Sequence, residues 1–226
     1  MVGADGLGVT IAAGFSNNQN DVLLAGTVGN RAAAGTDRTS LAGGLTKMGL
    51  GTLSLGAANT FTGATTVIDG TILLKHSDAL ALSSINYTNV MTASSVVFDS
   101  SVASRTFTIG GLSGTPINMS LTDNAGNPIT LRIGNGGQGT TYGAVFSGAG
   151  NLVKIGSGTL NLNAVNQTYA GSTTIIAGAP GVTGGSPNKI STLQLTFGTT
   201  NPGNYANILP KTTDLRFGGA SAPQVG

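Results

Sequence analysis

The feature that most constrains this chain is a unit that occurs twice. Gly44–Gly70 reads GLTKMGLGTLSLGAANTFTGATTVIDG, and Asn151–Gly178 reads NLVKIGSGTLNLNAVNQTYAGSTTIIAG. One extra residue around Gln167 keeps the two in register. Leu45/Leu152, Lys47/Lys154, Gly49/Gly156, Leu53/Leu160, Leu55/Leu162 and Asn59/Asn166 are identical, and Phe61/Tyr169 match as aromatics. Short strand-like pieces between glycines, returning after roughly a hundred residues, mark a solenoid.

Within the units, side chains alternate. In Thr52–Leu55 and Thr159–Leu162 the leucines fall on one side and Thr, Ser or Asn on the other. That is the period of a strand with one buried face. A single coil cannot bury such a face alone, so it stacks on the next. Similar runs, among them Gly8–Ala12, Thr71–Leu74, Ser95–Asp99, Ile129–Ile133, Thr173–Ile176 and Thr192–Phe197, belong to a series along the chain whose typical starts lie about ten residues apart, a spacing typical of short-stranded β proteins. The expected fold is all-β, a right-handed parallel β-helix (β-solenoid), the hand following the general rule for parallel crossovers. We read residues 1–226 as a single β-solenoid domain, a piece of a longer protein, with internal repeats at 44–74 and 151–195.

Glycines punctuate the strands. Gly49, Gly51 and Gly70 fall where corners are expected, since glycine takes positive φ without Cβ strain. Asn59 and Asn166 read either as corner residues or as simple loop positions. Ser77–Leu82 and Tyr205–Pro210 read as short helical turns. After Gly178 the second unit carries an insertion, APGVTGGSPNK, before the strand pattern resumes, and such insertions decorate one face of a solenoid.

Composition narrows the function classes. Charged residues make up 8% of the chain, and all eight acids are Asp. A net charge of +2 with 5% aromatics and no Trp suits neither a nucleic-acid groove nor a base-stacking platform. Cysteine is absent, which removes thiol chemistry, Cys-bound zinc and disulfides. The 39% hydrophobic fraction with positive mean hydropathy is not that of a disordered chain. No signal peptide is visible after Met1.

His76, Ser77 and Asp78 could suggest a hydrolytic triad, but triad members converge from separate segments, so a solvated turn is the better reading. The aspartates at 5, 21, 37, 69, 78, 99, 123 and 214 are scattered, and coil stacking could unite some of them, for instance Asp69 with Asp99. Asn135–Gly143, NGGQGTTYG, resembles a calcium-binding glycine nonapeptide with Thr where the key Asp should stand. GLGTL and GSGTL lead into strands rather than helix N-termini, so they are not phosphate loops. Lys47 and Lys154 read as solvated edge lysines that oppose aggregation. No catalytic, cofactor-binding or metal-binding residue is assigned, and no cofactor is expected.

The quoted units resemble the autotransporter-associated β-strand repeat, also called the passenger-associated transport repeat. The shared pattern is Leu-Thr-Lys-x-Gly-x-Gly-Thr-Leu-x-Leu followed by an Asn-Thr-Tyr-Thr-Gly-like stretch. The resemblance implies a β-helical passenger segment of an exported bacterial surface protein, located outside the cell or at the outer-membrane surface. The expected role is structural and non-enzymatic: a stalk, fibre or adhesin-like segment, stacking end to end into filaments. Its partners would be neighbouring coils, identical subunits, glycans or a host cell surface, and not nucleic acid. The alternatives are a glycan-binding module and, behind it, a polysaccharide lyase-like enzyme built on clustered Asp.

Overall fold

The computed structural model describes residues 9–12, 22–29, 42–87, 95–115, 117–164, 166–177, 191–195, 209 and 214–219. It is a parallel β-solenoid, and every pairing between its strands is parallel. No helix occurs among the described residues.

Each coil passes over three faces. On the first and second faces lie β1 (Val9–Ala12) and β2 (Val22–Leu24), then β3 (Leu45–Met48) and β4 (Thr52–Leu55), then β5 (Thr65–Val67) and β6 (Thr71–Leu74). β7 (Leu80–Tyr87) rounds the corner from the third face to the first, and β8 (Ser95–Phe98) follows on the second. β9 (Thr106–Gly114) makes the same corner, and β10 (Met119–Ser120) takes the second face. From there the third, first and second faces carry β11 (Thr130–Ile133), β12 (Thr140–Tyr142) and β13 (Phe146–Ser147). β14 (Asn151–Lys154), β16 (Thr173–Ala177) and β18 (Leu215–Gly219) lie on the third face, and β15 (Thr159–Leu162) and β17 (Thr192–Leu195) on the first.

Register makes the stacking explicit. On the first face Leu45 lies against Thr65, Thr65 against Ile85, and Ile85 against Leu112. Gly114 then meets Tyr142, and Tyr142 meets Leu162. On the third face Phe107 meets Leu131, which meets Leu152. The two repeats therefore do not stack on one another. The first runs from the first face to the second, and the second runs from the third face to the first.

The core is the inside of the coil. Leu53, Leu55, Ile72, Leu74, Val96 and Phe98 form adjoining inward columns on the second face. Such side chains contribute roughly 1.5–3 kcal/mol each by leaving water. Phe98 stacks at 4.8 Å on Phe107 across a corner. Tyr142 lies 4.7 Å from Phe146, which meets Tyr169 edge-on at 6.3 Å.

One segment corrects the sequence reading. Ser77–Leu82 is not a helical turn: a tight turn closes with Ala79 N donating to His76 O at 3.2 Å, and the chain is extended from Leu80 onward. A register shift between Leu80 and Ser84 breaks the alternation there. Tyr205–Pro210 lies outside the described residues, Leu209 excepted.

Candidate functional site

The lysines shared by the repeats are not solvated. Lys47 is 0% and Lys154 1% exposed. Alternation in β3 and β14 places them inward, two residues beyond Leu45 and Leu152. Each curls into the corner that follows it. Lys47 Nζ donates to Met48 O at 2.9 Å, to Gly49 O at 2.5 Å and to Asp69 O of the next coil at 3.0 Å. Lys154 Nζ donates to Ile155 O at 2.5 Å, Gly156 O at 3.1 Å and Ser191 Oγ at 3.3 Å.

A buried ammonium is costly unless its donors are satisfied, and here carbonyl dipoles satisfy them. The corner provides them because Gly49 (φ 74°) and Gly156 (φ 67°) turn in the left-handed region. Burial still pushes the Lys154 ammonium down to about 8. The expectation of aggregation-blocking edge lysines is therefore replaced: both are internal corner clamps, and neither can reach a ligand outside.

The acids are arranged differently from the sequence expectation as well. Asp69 and Asp99 sit at opposite ends of the second face, since Ser95 N bonds Gly70 O and Asp99 N bonds Leu74 O. Stacking instead brings Asp99 beside Asp123, through the bridge between Phe98 and Asp123. Asp99 Oδ1 accepts Ser101 N at 2.8 Å, and hydrogen bonding from Ser101 holds its carboxyl below the usual range. Burial pushes the Asp123 carboxyl up, but bonds from the Asn127 side chain and from the Asn127 and Ala125 N–H groups outweigh it, so it too is lowered. Lys75 lies 3.9 Å from Asp99, and Arg105 lies 3.6 Å from Asp123. Carboxylates engaged in this way cap turns and make weak bases.

His76 Nδ1 accepts Asp78 N at 3.0 Å, and Ser77 Oγ donates to Asp78 Oδ2 at 3.3 Å. Ser77 thus points to the acid rather than forming a histidine relay, as a local turn would have it. In the Asn135–Gly143 stretch, Asn135 Nδ2 bonds Ala81 O at 3.0 Å and so ties two coils together. Among the described residues no three His, Cys, Asp or Glu side chains converge. Asp5, Asp21 and Asp37 lie outside those residues.

Asn59 and Asn166 are not equivalent. Asn59 is buried, accepts Val28 N and donates to Ala79 O, both at 2.8 Å, and so links the coils on either side. Gln167 has that role in the second repeat: its Oε1 accepts Phe146 N at 2.6 Å and its Nε2 donates to Ala144 O at 3.3 Å. Asn166 is exposed, with φ 61°, and absorbs the extra residue.

What remains outward on the first face is a neutral row. The central outward positions of the first face are Thr46, Thr66, Asn86 and Ser113, joined in register. Thr141, Asn161 and Gln194 carry the row onward. The matching row of the third face holds Arg132, Val153, Thr174 and Arg216, and that of the second face holds Leu73 and Val97.

A three-faced parallel solenoid with clamped glycine corners is the architecture of a repeat protein. Residues 45–74 and 152–179 match the model of the passenger-associated-transport-repeat family, so the chain carries two stretches of that repeat type. It is 38% identical over 138 residues to "Adhesin BmaC autotransporter" of Brucella suis biovar 1 (strain 1330). The match covers 60% of this chain and 4% of that relative, so the chain spans a small part of it. No solved structure matches the chain.

Proposed function

We propose that this chain is a structural, non-enzymatic segment of an exported bacterial surface protein, a rod of an adhesin-like passenger. The observation that carries the reading is the corner clamp. Both passenger repeats invest their most polar shared residue, Lys47 or Lys154, inside the coil, where it can only hold the rod together. The similarity to an autotransporter adhesin supports export to the cell surface.

The test is to fuse the chain to an autotransporter barrel in a diderm bacterium and probe intact cells. Protease-accessible chain at the surface, with cells that adhere better than those bearing the barrel alone, is the expected result. Chain retained in the periplasm would overturn the passenger reading. End-to-end stacking is a second reading, favoured by the parallel in-register pairing of successive coils, which one molecule could continue onto the next. Electron microscopy across concentrations distinguishes the two: filaments support stacking, and short rods at all concentrations count against it.

A further inference from the structure

We propose that Asp69–Gly70 is a self-modifying site, at which the folded chain converts its own aspartyl peptide into an isoaspartyl one through a cyclic imide. This chemistry needs nothing from the adhesin reading and goes beyond it. Three observations at the corner of the first repeat carry it. Gly70 N donates to Asp69 Oδ1 at 2.8 Å, so the attacking nitrogen already sits against the carboxyl group it would attack. The buried Lys47 Nζ donates at 3.0 Å to Asp69 O, the carbonyl oxygen of the same peptide. Gly70 has no side chain to hinder ring closure, and the corner admits none, since a Cβ would lie 2.2 Å from Gly49 O.

The reaction is a dehydration followed by a hydration. Gly70 N loses its proton and bonds to Cγ of the protonated Asp69 carboxyl, whose hydroxyl leaves as water, giving a five-membered succinimide. Water then opens the ring at either carbonyl. Opening at Cγ restores aspartate. Opening at the main-chain carbon leaves Gly70 joined through Cγ and frees the α-carboxyl. Lys47 lowers the barrier: loss of the Gly70 proton puts negative charge on Asp69 O, and the ammonium held there stabilises that charge as it forms. Contact between nitrogen and carboxyl supplies the proximity that a flexible chain lacks. The product suits the corner too. The freed carboxylate keeps the oxygen that Lys47 already holds, so the ammonium gains an ion-pair partner.

Residue identity alone points elsewhere. In a flexible chain an asparagine before glycine reacts faster than an aspartate, because a carboxamide needs no protonation to be attacked, and the chain has such a pair at Asn135–Gly136. The fold closes that site. Asn135 Nδ2 donates to Ala81 O at 3.0 Å, and Gly136 N donates to Gly110 O at 3.0 Å. Both reacting groups are pinned to other coils, and the ring cannot close without breaking both bonds. At Asp69–Gly70 the reacting groups are pinned to each other. The second repeat has Ala177 in place of Asp69, so its equivalent corner has no carboxyl to react.

Warm storage of the whole folded chain at neutral pH, beside the same chain in denaturant, tests this. Tryptic peptides are then mapped for isoaspartate by isoaspartyl-methyltransferase labelling and electron-transfer fragmentation, which places the signals at residues 69 and 135 on different peptides. In the folded chain isoaspartate at residue 69 should exceed that at residue 135 at least about tenfold, the effect of a barrier lower by about 1.4 kcal/mol. In denaturant the order should reverse. Asp69→Glu would have to close a six-membered ring and should lose the signal at 69. Lys47→Met should form isoaspartate at 69 more slowly than the parent, although its corner is looser. Thermal melting confirms that both variants fold. No isoaspartate at residue 69 of the folded chain, residue 135 leading there, or faster formation in Lys47→Met overturns the proposal. Surface display and adhesion of cells bearing the chain are unaffected by any of these results, so failure here leaves the passenger reading standing.

Discussion

The ammonium of Lys47 reaches out of its own coil to the carbonyl oxygen of Asp69 in the next, 3.0 Å away. The same group holds the two carbonyls of its own corner, so one side chain fixes both the bend and the stacking of two bends. Lys47→Met keeps the length of the stem but leaves those carbonyls facing an apolar end. Unsatisfied buried acceptors cost about 1–3 kcal/mol. Urea unfolding of this variant should show a loss in that range, and Met48→Lys, at an exposed position, should show little change. Parental stability in Lys47→Met would mean the clamp contributes nothing.

Lys154 predicts an unusual alkaline profile. Its folded value, near 8, lies below the ordinary 10.5, so between those values the unfolded chain binds the extra proton. Stability must therefore rise with pH across this window, by about 3 kcal/mol at most. Burial has the opposite consequence for Tyr87 and Tyr142, whose hydroxyls are pushed above the ordinary 10.0. Their ionisation in the unfolded chain erodes stability above that pH. Chemical denaturation from pH 7 to 11 should show a maximum near pH 10. Lys154→Met should lose the rise and keep the fall.

Glycine requirements differ sharply along the rod. Gly70 has φ 70°, and a Cβ there would lie 2.2 Å from Gly49 O and 2.6 Å from Gly51 O. Neither backbone atom can yield without moving the corner. Gly70→Ala should destabilise by at least about 2 kcal/mol, combining left-handed strain with overpacking. A Cβ at Gly26 would meet nothing within 4 Å, so Gly26→Ala should be neutral or slightly stabilising. Thermal melting of the pair checks both expectations, and similar losses in the two would show that the corner does not select glycine.

Much of this was legible in the sequence because one face of each strand is buried and period two is unambiguous there. Leu53, Leu55, Leu160 and Leu162 point inward as the alternation requires. The same alternation placed Lys47 inward as well, and the usual preference of lysine for water hid the signal. β7 escaped because its bulge after Leu80 breaks the period just where a tight turn ends. The rotation of the second repeat by one face could not be read from either copy. It depends on how many residues each intervening coil spends on each face, and β7 and β9 each spend theirs across a corner. The pairing of Asp99 with Asp123 depends on the same count.

The shift at Gln167 gives a prediction that residue identity alone would invert. Aligned by type, Asn166 is the partner of Asn59, and its loss should hurt. In the structure Asn166 is exposed and left-handed, a conformation glycine adopts more easily, so Asn166→Gly should leave stability nearly unchanged. Gln167 is 3% exposed and accepts the buried N–H of Phe146. Gln167→Leu fills the space but strands that donor, at a cost of about 1–3 kcal/mol. Asn59→Leu should cost at least as much, since it strands Val28 N below and Ala79 O above. Equilibrium unfolding of the three variants decides the matter. If Asn166→Gly were the damaging change and Gln167→Leu the silent one, the register of the second repeat described above would be wrong by one residue.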